Sequence, residues 1–252
     1  MISRTFTVEG APDIEVRIES GRVEVRRGDP GRVSVTVDTR SPEFVVEQQG
    51  NSILVSSDRS TSWLFRGSAS VVIEAPEGSD LQTKVASAPV LANMRLGKVD
   101  IKTASGNIEL GSAETLAIKT ASGDSDIGSV EHSLSFASAS GDLRVRGTCS
   151  GTVAVSTASG DVNIADCDAN ITVNTASGDV ELKRFTGRNA TFKGMSGDID
   201  LAIPRGTEID LDVNLLSGSL RVPDPEPRSG AVSRQMSIRA KLVSGDLTLE
   251  RL

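Results

Sequence analysis

The sequence predicts an all-β repeat fold: a parallel β-solenoid with coils of about 18 residues and an irregular β cap at its N-terminal side. Three observations lead there. A Ser-Gly-Asp motif returns every 17–19 residues through much of the chain. Apolar and polar residues alternate on both sides of each copy. Gly is abundant at 24 residues while aromatics make up 3% with no Tyr, which suits short strands and tight turns around a narrow core of β-branched side chains.

The N-terminal region, residues 1–80, carries the pattern only once. Ile14, Val16 and Ile18 precede Ser20-Gly21, and Val23 and Val25 follow. Strands are expected at 32–38, 43–48, 52–56 and 69–75, and the whole region is expected to cap a solenoid spanning 81–252. Val85-Ala86-Ser87-Ala88-Pro89 has the spacing of a first, decayed turn. The motif serines Ser105, Ser122, Ser140, Ser159, Ser177 and Ser196 then follow at intervals of 17, 18, 19, 18 and 19 residues, and Ser217 and Ser244 continue at 21 and 27. A period near 18 is too short for a helix pair and fits one coil of two strands and two turns.

Within each coil the inward residues read off directly. Four before the Ser are Ile101, Ile118, Phe136, Val155, Val173 and Phe192; five after are Leu110, Ile127, Val145, Ile164, Leu182 and Leu201. This is period-two alternation, the signature of a strand with one buried face. Gly at the turn tolerates φ > 0, and the flanking Ser and Asp can bond nearby backbone N–H groups. The opposite turn (Gly111-Ser112, Gly128-Ser129, Gly147-Thr148) is looser, and insertions are expected there. The proline-bearing segment 223–231 reads as a surface loop inside the last coil, with strands near 235–243 and 247–251 closing that end.

The Thr-Ala-Ser-Gly-Asp-Val type turns at 103–108, 120–125, 157–162 and 175–180 resemble those of the bacterial “putative adhesin” family of β-strand repeats, domain of unknown function 4097. The resemblance covers residues 85–252 closely and the N-terminal part more loosely. It implies a repeat β fold, a setting at the cell envelope for some members, and no catalytic residues to transfer.

The residues offer few sites for chemistry. Asp124, Asp142, Asp161, Asp179 and Asp198 should stack along one edge, with Asn107 at its start. Stacked carboxylates repel, and calcium, a hard cation taking oxygen ligands, would relieve that repulsion. Turn capping in water ranks ahead of calcium, and no metal site is assigned, since the double Gly of calcium-binding β-rolls is missing. Cys149 and Cys167 lie one period apart, so they are expected either as reduced small residues or as neighbours within disulfide reach. No Cys/His cluster supports zinc, His132 being the only histidine, and no cofactor is implied. Trp63, Leu64 and Phe65 form an aromatic tip that either covers an open solenoid end or contacts a partner.

Net charge is −7 and no basic stripe is present, so nucleic acid is not an expected partner. No window approaches a membrane span or a secretory signal, which makes a cytoplasmic setting the expectation. The short coils leave no long loops to wall a polysaccharide groove, and the repeated Ser lacks a His for each copy. The chain therefore reads as a non-enzymatic binding or scaffold module, monomeric or weakly self-associating, with an unknown protein or envelope partner. A self-assembling polymer of the bactofilin type stands second and a polysaccharide-active enzyme third.

Overall fold

The structure, a computed structural model, describes residues 1–40, 44–57, 68–223 and 234–252. Among these the chain is all-β: twenty strands and no helix, hence none long and apolar enough to cross a membrane. The described residues divide into two compact units, Met1–Ile127 and Gly128–Leu252.

The first unit contains β1 (Ile2–Thr7), β2 (Asp13–Ile18), β3 (Ser20–Arg27), β4 (Arg32–Thr39), β5 (Phe44–Gln49), β6 (Ser52–Ser57), β7 (Ser68–Ala75), β8 (Asp80–Val85), β9 (Val90–Lys102) and β10 (Ile108–Thr120). The alternation around Ser20-Gly21 makes a true repeat. β2 pairs in parallel with β6 and β8, placing Ile14 beside Ile53 and Leu81. β3 pairs in parallel with β7 and β9, placing Val23 beside Val71 and Val90. The ladder continues from β9 to β10, with Val99 beside Leu116 and Ile101 beside Ile118. Residues 13–27 thus lie between strands that follow them in sequence. The predicted decayed turn takes its place as well: Ala86 and Ser87 donate their N–H groups to the Glu19 carbonyl, and Ala104 and Ser105 donate to Ala86.

Antiparallel strands border this ladder. β4 runs against β7 (Val35 beside Ile73), β1 against β4, and β5 against β6. Val33, Val35 and Val37 of β4 are fully buried by the strands on either side. Side-chain amides tie the same border to loop backbone. Asn51 accepts from the Glu9 N–H and donates to the carbonyls of Glu9 and Ala11, while Gln48 donates to Thr7 and Gly50.

β11 (Ser125–Ser138) leads into the second unit. There follow β12 (Leu143–Ser159), β13 (Val162–Ser177), β14 (Val180–Leu182), β15 (Asn189–Ser196), β16 (Ile199–Ile203), β17 (Thr207–Ser217), β18 (Leu220–Arg221), β19 (Arg234–Ser244) and β20 (Leu247–Arg251). Every pairing in this series beyond β12 is parallel: Val155 beside Val173, Val173 beside Phe192, Val162 beside Val180 and Val180 beside Ile199 lie one repeat apart, whereas β15–β19 and β16–β20 skip a repeat, with Ser196 beside Ser244. Fully inward residues carry the core, with Phe136, Val155, Val173, Phe185 and Phe192 all 0–1% exposed.

Two local expectations are corrected. The second turn of the repeat is not a loop in the long strands. β12 passes through it as 17 continuous residues with a register shift between Val145 and Thr148, and β10 does the same between Leu110 and Ser112. A bulge resets the two-residue alternation without breaking the ladder. The last strands in sequence also do not close the end. β19 pairs with β15 on one side and β17 on the other, and β20 lies likewise between β16 and β18. The inward residues of β19 (Met236, Ile238, Ala240, Leu242) are buried, while those of β17 (Ile209, Leu211, Val213, Leu215) are only half-buried. β17 and β18 therefore form the border. The strand richer in carboxylates takes the wetter position.

Candidate functional site

The repeated motif resolves into three structural roles. The Thr points inward: Thr103, Thr120 and Thr157 are 7–9% exposed. Its hydroxyl accepts the N–H of the Gly three residues on, at 2.9 Å for both Thr103–Gly106 and Thr120–Gly123, and Ser138 does this for Gly141. The Gly is needed for a close approach more than for its backbone freedom. Gly106, Gly123 and Gly160 have no left-handed φ, yet a Cβ on Gly123 would collide with the Gly106 carbonyl oxygen directly beneath it. Among the later motif copies φ is positive only from Gly178 onward (150°, and 129° at Gly197), although Gly21 in the first copy also has φ 116°.

The Asp closes the turn against its neighbour. In the second unit Asp142, Asp161, Asp179 and Asp198 each accept, through Oδ1, the backbone N–H of the next Asp in the stack (Asp161, Asp179, Asp198 and Asp246) at 2.8–2.9 Å. Asp246 accepts the Ser219 N–H in the same way. In the first unit Asn107 Oδ1 accepts the Asp124 N–H at 3.2 Å. An Asn does the same job, which explains why the series starts with one. Each carboxylate thus serves one backbone group in a row. Among the described residues no group of three or more His, Cys, Asp or Glu is placed to hold a metal ion.

Cys149 and Cys167 are register partners on β12 and β13, both fully buried and both free thiols. Burial pushes each thiol up to about 12, with the neighbouring Cys167 adding to the effect on Cys149. A thiol held protonated is a core residue, not a nucleophile. Trp63, Leu64 and Phe65 lie outside the described residues, as do residues 224–231 of the predicted proline loop.

The features not anticipated from sequence lie in the second unit. A polar groove of about 1300 Å³ crosses its repeats, lined by Asp168, Asn170, Arg188, Glu208, Asp210 and Arg234 among others. Polar side chains bridge neighbouring repeats along it: Thr186 Oγ1 donates to Asp168 Oδ1 at 3.1 Å, and Asn189 Nδ2 to Asn170 Oδ1 at 2.9 Å. The groove runs to β17, whose outward residues Glu208, Asp210 and Asp212 are exposed at alternate positions. Beside them stands an apolar rim. The motif position held by Ala158 and Ala176 in earlier repeats is occupied by Met195, Leu216 and Val243, which are 63%, 81% and 49% exposed. Leu220 and Val222, just past the turn, are each 45% exposed. The sequence signal was available: the repeat spacing loosens after Ser196, and Glu-Ile-Asp-Leu-Asp-Val alternates from Glu208 to Val213.

Known proteins bear on this arrangement as follows. A crystal structure named “putative lipid binding protein” from Parabacteroides distasonis shares the fold at a TM-score of 0.58 and 19% identity, covering 97% of this chain and 96% of its own. A “putative adhesin” from the same organism aligns at a TM-score of 0.48 and 13% identity (100% and 96% covered), and another from Bacteroides fragilis at 0.41 and 13% (100% and 96%). No curated protein matches the sequence. The repeats themselves match the family described as Toastrack DUF4097 over residues 12–250, nearly the whole span of the ladders, and the chain belongs to that family.

Proposed function

We propose that the chain is a parallel β-solenoid that serves as a non-catalytic binding module, engaging a protein partner through the border strands of its second unit. The parallel registers from β12 to β20 support the solenoid reading. The exposed apolar side chains carry the binding reading. Among the described residues seven large apolar side chains are exposed, and two of them are the chain's first and last residues. The other five lie on the last repeats of the second unit: Met195, Val243 and Leu216 at one motif position on β15, β19 and β17, and Leu220 and Val222 just past the β17 turn. Apolar surface gathered in one place and rimmed by polar groups is the usual mark of an interaction site. The motif residues support the non-catalytic half, because Thr103, Thr120, the motif glycines and the Asp row are occupied in building turns. A lipid surface fits less well, since the rim is bordered by Glu208, Asp210 and Asp212 in a chain of net charge −7.

Selection of a displayed random-peptide library on the immobilised full chain tests this. Enriched binders should compete with one another, weaken on Leu216→Lys and Leu220→Lys, and remain chemically intact on long incubation by mass spectrometry. Binders indifferent to these substitutions would move the site elsewhere. Cleavage of the bound peptide would reinstate an enzyme.

A further inference from the structure

Resting on that reading, we propose that β17 takes up an extended segment of a partner protein by strand addition, and that the segment alternates basic and apolar residues. Three observations lead to this occupant. First, β17 has one neighbour only among the described strands: it pairs with β19 from Thr207 to Ser217, and no described strand pairs with the backbone donors and acceptors of its other side. Second, its inward side chains Ile209, Leu211, Val213 and Leu215 are half-buried, whereas the aligned Met236, Ile238, Ala240 and Leu242 are buried. A further strand would cover them as β17 covers β19. Third, the outward face of the edge is acidic. Glu208, Asp210 and Asp212 are exposed, and neither Asp210 nor Asp212 has an ion pair or side-chain hydrogen bond among the described residues. A basic residue already stands in register with one member of this row, Asp212 beside Arg239 across the β17–β19 pair.

An extended segment obeys the same two-residue alternation as β17. Its apolar side chains would lie on Leu211 and Val213 while its Lys or Arg side chains lie beside Asp210 and Asp212. Main-chain bonds supply affinity in this mode and alternate side chains supply selectivity. A second copy fits worse. Antiparallel pairing of two β17 strands about their centre puts Asp212 of each against Asp212 of the other, so like charges face each other across the new ladder.

The test uses the full chain and a fluorescent eleven-residue peptide alternating Lys and Val, the length of β17. Anisotropy should show saturable binding that falls with salt. It should be lost when alternate backbone amides of the peptide are N-methylated, and absent for the matching Glu/Val peptide. The Asp210→Lys, Asp212→Lys double variant, altered only at exposed positions, should bind about tenfold or more weakly. Equal binding of the Glu/Val or N-methylated peptide, no binding at all, or an indifferent double variant overturns the proposal. A dimer formed through β17 in light scattering overturns it too, naming a second copy as the occupant and leaving the binding reading in place. If β17 amides in the free monomer exchange as slowly as those of β19, the edge is already covered, and both readings fall.

Discussion

The two units end their parallel ladders in opposite ways. In the first, β4 turns antiparallel against β7 and β1 against β4, β5 turns antiparallel against β6, and the amides of Gln48 and Asn51 bind loop backbone across the border. Val33, Val35 and Val37 are consequently as buried as any residue of a central strand. In the second unit the ladder stops at a parallel strand, β17, with half-buried inward residues and an exposed apolar rim. A stack of parallel repeats must cover its terminal strands or leave them for something else to cover. The first border spends three strands and two side-chain amides on closure. The second spends none that the described residues show.

Core truncation should break this contrast most sharply. Ile73→Ala, beside Val35 at the closed border, should cost about 2–5 kcal/mol. Leu211→Ala on the open edge should cost less than the roughly 1.5 kcal/mol that marks a fully buried aliphatic side chain. Urea unfolding followed by two probes, one in each unit, measures both, and equal losses would mean the edge is covered in solution.

The border amide comes next. Asn51→Ala removes one acceptor and two donors from partly wetted backbone, a loss of about 1–2 kcal/mol. It should also raise the amide exchange of β1 and β5 toward that of β17. If exchange at β1 is unchanged, closure comes from the strands alone.

The Asp row gives a smaller effect. Asp161→Ala should cost about 1 kcal/mol, since the Asp179 N–H loses its acceptor. Asp161→Asn should be neutral or slightly stabilising, because the acceptor survives and a like charge is removed from the row. Added calcium should leave the thermal midpoint of the parent protein unchanged. A calcium-dependent rise that Asp161→Asn abolishes would make the row a cation site.

The smallest expected signal comes from Cys149 and Cys167, which report how far any opening at β17 spreads inward. At neutral pH a thiol reagent should label neither until the unit unfolds. Both thiols are raised from 9 toward about 12 by burial, so the folded state favours the protonated form. That contribution is complete below pH 9 and is lost as pH climbs toward 12. Labelling at pH 7 without denaturant would show that fraying from the open edge reaches β12 and β13.

Much of the architecture could be read before any coordinates. Alternation around Ser105, Ser122, Ser140, Ser159, Ser177 and Ser196 names the buried faces that the structure finds, because the two-residue period of a strand is local and unambiguous. The Ser20-Gly21 repeat and the decayed turn at Ser87 were legible for the same reason. The Asp column was legible as a column of turn caps, but the sequence predicts each Asp capping its own turn, whereas the capped N–H belongs to the neighbouring repeat, as with Asp179 on Asp161.

Local pattern therefore specified strands, inward faces and turns in this chain, down to individual Val, Ile and Gly residues. The order of the strands came from packing between segments distant in sequence. Residues 13–27 lie between partners drawn from 52–75 and 80–92, and β19 enters between β15 and β17. Which repeat lies last depends on how well each one's two faces bury against its neighbours. Met236, Ile238 and Leu242 found cover on both sides, and the acidic strand from Glu208 to Asp212 was left at the border, where its carboxylates stay in water.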